Sequence, residues 1–425
     1  MNSGEVRLDQ RPGHLAVESM IWTELGNGVQ VMSEHIPGVR SAAVGVWVRQ
    51  GSAHEPETDA GMSHMLEHMV FKGTERRTAA EIAVALEGLG GSLDAYTSRE
   101  HTSYQARVLD EHLPEAIDVL ADLVLAPRLE ASDLELEREV VLEEIAQVED
   151  TPDDLIFELH SERLWRGHPY GRSILGTKES VSAMTADRLR DLHAIRYVGA
   201  NLVVAGAGNV EHEDFARRVE ELFGGVGSGA GRGAVDVPAS TESGVEQSRR
   251  DSAQTHIVFG TDVPGHAHPD RHALVLVSSA LGAGMSSRLF QRVREELALC
   301  YSIYTYQSFY SRSGVSGVYV GTRPATATTA AAAVREELAK VAAEGLPEAE
   351  LEQVKRQLKG QIVLSLESSG ARLHRLASFA LHDEPVVSLS ELLDKIDGVV
   401  VDDVRRVASE YFEPARQLEL RLGPE

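Results

Sequence analysis

Cysteine and long apolar runs are scarce in this sequence. Its only cysteine, Cys300, excludes a disulfide framework within the chain and suits a reducing cytoplasm. No apolar run reaches the ~18 residues that a membrane-spanning helix needs. The N-terminal residues also lack the apolar core of a signal peptide. These absences predict a soluble protein that works in the cytoplasm and does not bind membranes.

Basic residues are also few compared with acidic ones. The chain has 41 Lys and Arg against 66 Asp and Glu, a net charge of −25, which argues against nucleic acid or an anionic membrane as a partner. The charge fits an acidic chamber that attracts basic peptides, although acidity more often serves solubility alone. A content of 42% hydrophobic and 25% charged residues is that of a globular protein, and 425 residues allow two domains.

The stretch Asp59 to Gly73 contains the pattern H-x-x-E-H. We expect a helix here, with Asp59 as its N-cap, so that His64 and His68 leave the same face one turn apart, with Glu67 beside them. Two imidazoles at this spacing are natural zinc ligands, and the order is that of the inverted zincins. Because roughly one chain in twenty of this composition would show the pattern by chance, a third ligand is needed.

The segment 132–150 reads as a second helix with Ser132 as its N-cap. Glu137 and Glu144 are two turns apart and share one face. An acid on such a partly apolar stripe needs a partner, because an unpaired buried carboxylate is costly, and zinc is such a partner. The other acids of the segment point elsewhere and are interpreted as a solvated face: Glu135, Glu139 and Glu143.

Together these motifs resemble the pitrilysin/insulinase family of inverted zinc metallopeptidases. After H-x-x-E-H, 75 residues separate His68 from Glu144, and the stretch Glu137 to Ile145 matches the family's second motif. The likeness runs from about residue 20 to the end and fits the bacterial relatives of the mitochondrial processing peptidase beta subunit. It implies that Glu144 is the third ligand of one Zn²⁺ per chain and that Glu137 is an acid supporting the metal site.

The resemblance also implies a fold and an assembly. The fold would be α+β, with two structurally similar halves, each a mostly antiparallel sheet layered with helices, closing as a clamp. We place a zinc-bearing catalytic half at 1–223, a flexible Gly-rich linker at 224–242 and a substrate-clamping half at 243–425. The second half has no H-x-x-E-H. A homodimer acting on peptide substrates is expected.

The implied activity is that of a zinc endopeptidase. The metal lowers the pKa of a water towards ~7, and Glu67 takes the proton and passes it to the leaving amine. From the second half, Arg294 would hold a substrate carbonyl and the Tyr301 hydroxyl would hydrogen-bond the oxyanion. A salt bridge from Arg294 to Glu295 is the structural alternative. Two rival readings are a non-catalytic binding or partner subunit of the same fold and a purely structural zinc, which has no use for a general base.

Substrate contacts are implied at three places. Asp94, Ala95 and Tyr96 lie on an edge strand where substrate backbone would pair beside the zinc, and family members commonly carry Asn where this chain has Asp94. Asp154 and Glu158 are four residues apart. In the processing-peptidase branch, acids at these offsets contact a basic side chain just before the cut.

A solvated acidic face is an equally good reading of Asp154 and Glu158. Phe71 would wall a pocket that favours an apolar residue after the cut. Other histidines, including His160, have no partner at ligand spacing and are interpreted as structural. Apolar patterns predict the remaining elements: strands at 28–32, 41–50, 202–206, 256–260, 301–307 and 314–320, a pair of strands within 92–108, and helices at 113–125, 213–223, 270–281, 287–296, 326–343 and 347–366.

Overall fold

The computed structural model describes residues 2–5, 19–88, 90–239 and 241–424. Residues 6–18, part of the segment for which the sequence predicts no signal peptide, lie outside this part of the chain. The contacts divide the chain into two compact units, each with its own sheet and core. Unit 1 contains Met1–Ile145, Ser173–Ala234 and Leu364–Leu389, and unit 2 contains Ala146–Arg172, Val235–Val363 and Ser390–Glu425.

The described residues form the following elements, numbered in chain order. The strands are β1 (Asn2–Glu5), β2 (Ser19–Glu24), β3 (Gln30–His35), β4 (Ser41–Val48), β5 (Ser92–Thr97), β6 (Thr102–Leu109), β7 (Leu202–Gly208), β8 (Gly244–Arg249), β9 (Thr255–Pro264), β10 (Cys300–Phe309), β11 (Ser313–Thr322) and β12 (Leu418–Gly423). The helices are α1 (Met62–Val70), α2 (Ala79–Glu87), α3 (Leu113–Leu125), α4 (Ala131–Asp150), α5 (Pro152–Leu164), α6 (Lys178–Ser182), α7 (Ala186–Arg196), α8 (His212–Phe223), α9 (Arg271–Gly282), α10 (Ala327–Glu344), α11 (Glu348–Ser365), α12 (Ser369–Leu381), α13 (Leu389–Asp397) and α14 (Val401–Tyr411).

Unit 1 is built on a mixed sheet with the strand order β1-β2-β3-β7-β4-β6-β5. All neighbouring strands are antiparallel except β3 and β7. The central strand β4 is an almost continuous buried run, because α3 covers one face of the sheet and α12 covers the other. The strand β5 lies at one edge of this sheet, which leaves the outer side of its backbone without a strand partner among the described residues.

Unit 2 is built on a second sheet with the order β10-β11-β9-β12-β8, in which only β12 and β8 are parallel. Helices α9, α10 and α14 pack with one face of this sheet in a large apolar core. Helix α5 packs against β9 and β12 through a smaller cluster that includes Ile156, Val258 and Leu420. The predicted α+β class, with two mostly antiparallel sheets layered with helices, is confirmed.

The compact units are not the contiguous halves that the sequence predicted. Residues 146–172, which contain α5, group with unit 2, and residues 364–389, which contain α12, group with unit 1. Each of these helices buries its apolar face against the sheet of the unit that it joins. The passage from unit 1 to unit 2 at Ala234 and Val235 does fall within the predicted linker 224–242.

The linker itself is fixed in part to unit 1. The backbone amides of Gly199 and Ala200 donate to the carbonyls of Gly227 and Ser228, at 2.9 and 3.0 Å. These hydrogen bonds hold part of the Gly-rich stretch that the sequence predicts to be flexible. They are possible because glycine lets two backbones approach closely. Among the described residues, no helix is both long enough and apolar enough to cross a membrane.

Candidate metal centre

Helix α1 presents the H-x-x-E-H residues because its opposite face is anchored in the core. Met65, Leu66 and Met69 are fully buried in the core of unit 1. With 3.6 residues per turn, this places His64 and His68 together on the other, partly exposed side. Their ring centroids lie 4.6 Å apart.

The start of α1 differs from the sequence prediction. The N-cap is Gly61, with a φ of 91°, and the helix begins at Met62. Asp59 lies earlier, in the 3-10 turn Glu57–Asp59, and its carboxylate pairs with Arg188 instead of capping the helix. The prediction of Asp59 as N-cap is therefore wrong. The cap position is occupied by Gly61 in a left-handed conformation, and the carboxylate of Asp59 is used in an ion pair with Arg188.

The carboxylate of Glu144 on α4 reaches both histidines. Its Oε2 lies 3.7 Å from His64 Nε2, and its Oε1 lies 3.7 Å from His68 Nε2. One ligand atom from each of the three residues can be chosen so that all lie within 4.8 Å of one another. Ligands at ~2.1 Å from a tetrahedral zinc would be about 3.4 Å apart, so the set fits such an ion.

Unsatisfied atoms at the site support the same fit. Within the described residues, Glu144 Oε2 and His64 Nδ1 are buried and have no hydrogen-bond partner. Buried polar atoms are rarely left so, and a bound cation would give the carboxylate its partner. Burial, followed by the nearby His68, lowers the pKa of His64 to about 4. The imidazole is therefore neutral near pH 7, which is the form that binds metals.

Glu137 and Lys72 lie behind His68. His68 Nδ1 is 3.0 Å from Glu137 Oε2, which leaves Nε2 free to face Glu144. The buried carboxylate of Glu137 also pairs with the ammonium of Lys72. Carboxylates in this position fix the orientation of metal-binding histidines. Glu137 was expected from the sequence, whereas Lys72 was missed, although its spacing of four residues from His68 was a signal.

Glu67 lies beside the three candidate ligands and is held by the end of β5. The hydroxyl of Thr97 donates to Glu67 Oε2 at 2.6 Å. Burial raises the pKa of Glu67, and the Thr97 hydrogen bond opposes that rise. A carboxylate whose proton affinity is raised in this way is suited to accept and return a proton. Thr97 was not predicted, because its contact with Glu67 arises only when β5 lies next to α1.

The predicted substrate strand is the edge strand β5. Asp94 is exposed, Ala95 packs against the core, and Tyr96 is half exposed with its ring stacked on His374. Phe71 is the C-cap of α1 and is partly buried against the same core. The geometry thus offers an unpaired strand edge close to α1, and the substrate roles of these residues stay predictions.

Arg294 and Tyr301 lie together in unit 2. Arg294 belongs to a π-helical segment, Phe290–Glu296, in place of the predicted helix 287–296, and such segments are frequent at functional sites. Its guanidinium lies 5.1 Å from the Tyr301 ring centroid and 4.5 Å from that of Phe290. The alternative contact with Glu295 is long, at 3.8 Å. Tyr301 is 77% exposed at the start of β10.

Asp154 and Glu158 lie on α5 and therefore belong to unit 2. Asp154 is exposed, whereas Glu158 Oε2 is buried and has no hydrogen-bond partner among the described residues. A buried, unsatisfied carboxylate oxygen is an available acceptor for a cationic group. Their predicted contact with a basic substrate side chain stays a prediction.

Comparison with known proteins identifies the family. Residues 30–178 match the profile described as "Insulinase (Peptidase family M16)". An uncharacterized zinc protease of Mycobacterium leprae is 42% identical over 397 residues, which cover 92% of this chain and 88% of that protein. The chain belongs to peptidase family M16. A second M16 relative, the uncharacterized zinc protease YmxG of Bacillus subtilis, is 36% identical, with 91% of this chain and 94% of that protein covered.

Further comparisons concern a later part of the chain and the fold. Residues 183–358 match the profile "Peptidase M16 inactive domain", in agreement with the absence of H-x-x-E-H from that part of the sequence. A protease from Helicobacter pylori has the same fold, with a TM-score of 0.88 at 23% identity, covering 96% of this chain and all of that one. An M16 inactive-domain structure from Pseudomonas fluorescens gives a TM-score of 0.90 at 20% identity, covering 96% and 98% of the two chains. The specific relation to the processing peptidase beta subunit stays a prediction.

Proposed function

We propose that this M16 chain is a zinc-dependent endopeptidase that cleaves unfolded peptides. The observation that carries the proposal is the convergence of His64, His68 and Glu144, with ligand atoms within 4.8 Å of one another, beside the partly buried side chain of Glu67. These three residues would hold one zinc ion. When bound, the ion supplies Lewis-acid activation of water and of a carbonyl group.

The protein residues have separate tasks in this reaction. Glu67 accepts the proton of the attacking water and returns it to the departing amine, a role that suits its raised pKa. Thr97 holds one oxygen of Glu67 at 2.6 Å and so keeps the carboxylate in one orientation. Glu137 fixes the ring of His68 through Nδ1.

The substrate is expected to bind as an extended segment. The free edge of β5 offers backbone N–H and C=O groups to a peptide strand, with Asp94, Ala95 and Tyr96 along it. A folded substrate could not supply such a strand, so we infer a preference for unfolded peptides. The homodimer and the cytoplasmic location, which the sequence predicts, remain part of the proposal.

The metal and the base can be tested separately. Wild-type protein is expected to hold about one zinc per chain, and His64→Ala or Glu144→Gln to lose it. Glu67→Gln should keep the zinc but lower peptide hydrolysis by ~10²–10⁴-fold, because it removes the general base. Glu143→Gln, on the exposed neighbouring position of α4, is the matched control and should change neither quantity.

Two outcomes would contradict the proposal. Full zinc content in both ligand variants would show that the ligands are assigned wrongly. Zinc binding without hydrolysis of any unfolded peptide would favour the alternative, a non-catalytic binding or partner subunit.

The substrate preference can be read from a randomised peptide library. Asp154 and Glu158 would favour Arg or Lys shortly before the cut, since charge-assisted hydrogen bonds contribute ~1.5–3 kcal/mol each. Phe71 would favour a bulky apolar residue directly after it. Mass spectrometry of the products should show both preferences in the wild type, and Asp154→Asn with Glu158→Gln should lose the basic one. If the wild type shows no basic preference, the two acids have no role in substrate choice. If the double variant keeps the preference, it comes from other residues.

A further inference from the structure

The first turn of α1 depends on a carboxylate from outside the helix. Its N-cap is Gly61, which has no side chain with which to accept a hydrogen bond from the first turn. Glu55, six residues earlier and almost fully buried, fills this role. Its Oε2 accepts the backbone N–H of Gly61 at 2.8 Å, and its Oε1 accepts that of Ser63 at 2.5 Å. A negative charge here also complements the positive end of the helix dipole.

The backbone before α1 is also held tightly from the other side. Gly61 has a φ of 91°, and a Cβ on it would lie 2.5 Å from the carbonyl oxygen of Leu175. The hydroxyl of Ser180 donates to the carbonyl of Ala60 at 2.7 Å. No larger residue could replace Gly61 and provide its own cap without displacing the 175–176 backbone. The two bonds from Glu55 are therefore the side-chain cap of this helix.

The position of this turn decides where the candidate ligands lie. Ser63, whose amide Glu55 holds, directly precedes His64, and His68 follows one turn later on the same short helix. A helix of nine residues is marginal by itself, so tertiary anchors fix its course. A shift of the first turn would move His64 relative to Glu144, which lies on a different helix, α4.

We propose that Glu55 is a positioning residue for the metal centre. Its carboxylate holds the first turn of α1 so that His64 and His68 meet Glu144 at the spacing that a single ion requires. This inference rests on the proposed zinc function. Glu55 itself does not belong to the candidate ligand set.

The matched pair of variants is Glu55→Gln and Glu81→Gln. In Glu55→Gln, the side-chain amide keeps one acceptor but turns an NH₂ donor towards a backbone N–H, so one of the two bonds is lost. Glu81 caps α2 in the same unit by accepting the N–H of Thr78 at 2.8 Å and lies at an exposed position. Both variants remove a carboxylate from a helix start, but only Glu55 acts on the helix with the ligands.

The primary measurement is zinc affinity by competition with a chromogenic chelator. Glu55→Gln should weaken zinc binding about 10–100-fold, the effect usual for residues that orient metal ligands. The visible absorption of the Co²⁺-substituted protein should also change, because it reports the ligand geometry, which a general loss of stability would leave alone. In the metal-free protein, amide hydrogen exchange should rise in the peptides covering 61–66. Glu81→Gln should leave all three readouts at the wild-type values.

A second variant, Glu55→Ala, guards against an effect peculiar to glutamine. Glu55 lines a cavity of about 250 Å³ with Gln50 and Met62, so water can reach the freed amides when the carboxylate is removed. This variant should fold and show the same three changes. Wild-type affinity and an unchanged Co²⁺ spectrum in both Glu55 variants would overturn the inference, as would an equal loss in Glu81→Gln. Wild-type protein that binds no zinc would instead refute the proposed function.

Discussion

His160 is a buried imidazole in unit 2 whose environment disfavours its charged form. It lies on α5 with 1% of its surface exposed, and its Nε2 is 3.1 Å from the carbonyl oxygen of Leu418 on β12. The ring packs so closely against β9 that a Cβ on Gly260 would lie 2.5 Å from it. Burial lowers the pKa of His160 to about 4.

This shift predicts a loss of stability in acid. In the unfolded chain the imidazole has an ordinary pKa of ~6.5, so below that pH the unfolded state binds a proton that the folded state refuses. The stabilising effect is complete above pH ~6.5 and disappears progressively as the pH falls towards 4. A difference of about 2.5 pKa units at 1.36 kcal/mol each amounts to about 3 kcal/mol for this one group.

The perturbation that isolates this effect is His160→Gln. Glutamine can still donate to the carbonyl of Leu418 but does not titrate. The variant should be less stable than wild type at pH 7, because it packs less well, yet it should lose less stability between pH 6.5 and 4. Over that interval the free energy of unfolding should fall by about 3 kcal/mol less in the variant than in wild type, because wild type takes up close to one more proton on unfolding.

Hydrogen exchange followed by mass spectrometry can measure this in the intact protein. Peptides from β9 and β12 report the opening of unit 2, and peptides from β4 in unit 1 serve as an internal reference. His168→Gln is the matched control, because His168 also bonds a carbonyl, that of Asp236 at 2.9 Å, but is only partly buried. If wild type and His160→Gln lose protection of β9 in parallel on acidification, the reasoning is refuted.

Three further predictions concern the metal centre and the catalytic groups. Lys72→Met should weaken zinc binding ~10-fold or more, whereas Lys72→Arg should keep it, because the buried carboxylate of Glu137 is paired with the positive charge at position 72. Competition with a chelator measures the zinc affinity of both variants. Thr97→Val should lower turnover ~10–100-fold and Thr97→Ser should not, since it is the hydroxyl group that donates to Glu67. Equal turnover in the Val and Ser variants would contradict this role of the hydroxyl. Tyr301→Phe should lower turnover ~10²–10³-fold at unchanged zinc content, as expected for an oxyanion donor. Steady-state kinetics combined with metal analysis measures both quantities, and wild-type turnover in this variant would contradict the predicted role.

The core of the candidate site could be predicted because its signal is local. Three of its residues, His64, Glu67 and His68, lie on one short helix, where spacing alone decides which side chains share a face. Glu144 required more, namely a second motif at a particular distance, and the structure brings its carboxylate within 3.7 Å of both histidines.

The residues that support the site could not be predicted in the same way. Thr97 reaches Glu67 from the end of β5, and Glu55 reaches α1 from an irregular segment before it. Neither contact has a sequence pattern, because it depends on how strand and loop lie against the helix after folding. Asp59 shows the reverse error: a residue type that favours N-caps is instead paired with Arg188.

The same limit applies to the fold. The apolar, β-branched run over 41–50 predicts a strand, and β4 forms Ser41–Val48 of it. Nearly every residue of β4 is buried, because helices cover both faces of the sheet. The apolar stripes of α5 and α12 show only that each helix must cover something. They do not show which of the two sheets the helix covers. In both cases the helix packs on a sheet formed mainly by a distant part of the chain.

The place of α12 in unit 1 has a consequence for synthesis on the ribosome. The sheet receives its last strand when β7 ends at Gly208, but α12, which covers Trp47 and Val203 on one face, ends at Leu381. About 170 residues must be translated in between, which at ~5–20 residues per second takes roughly 10–35 s. During that interval the nascent sheet carries an uncovered apolar face. The unit that holds the candidate ligands is therefore completed only after Leu381 has been translated, although the last of the three ligands in the sequence is Glu144.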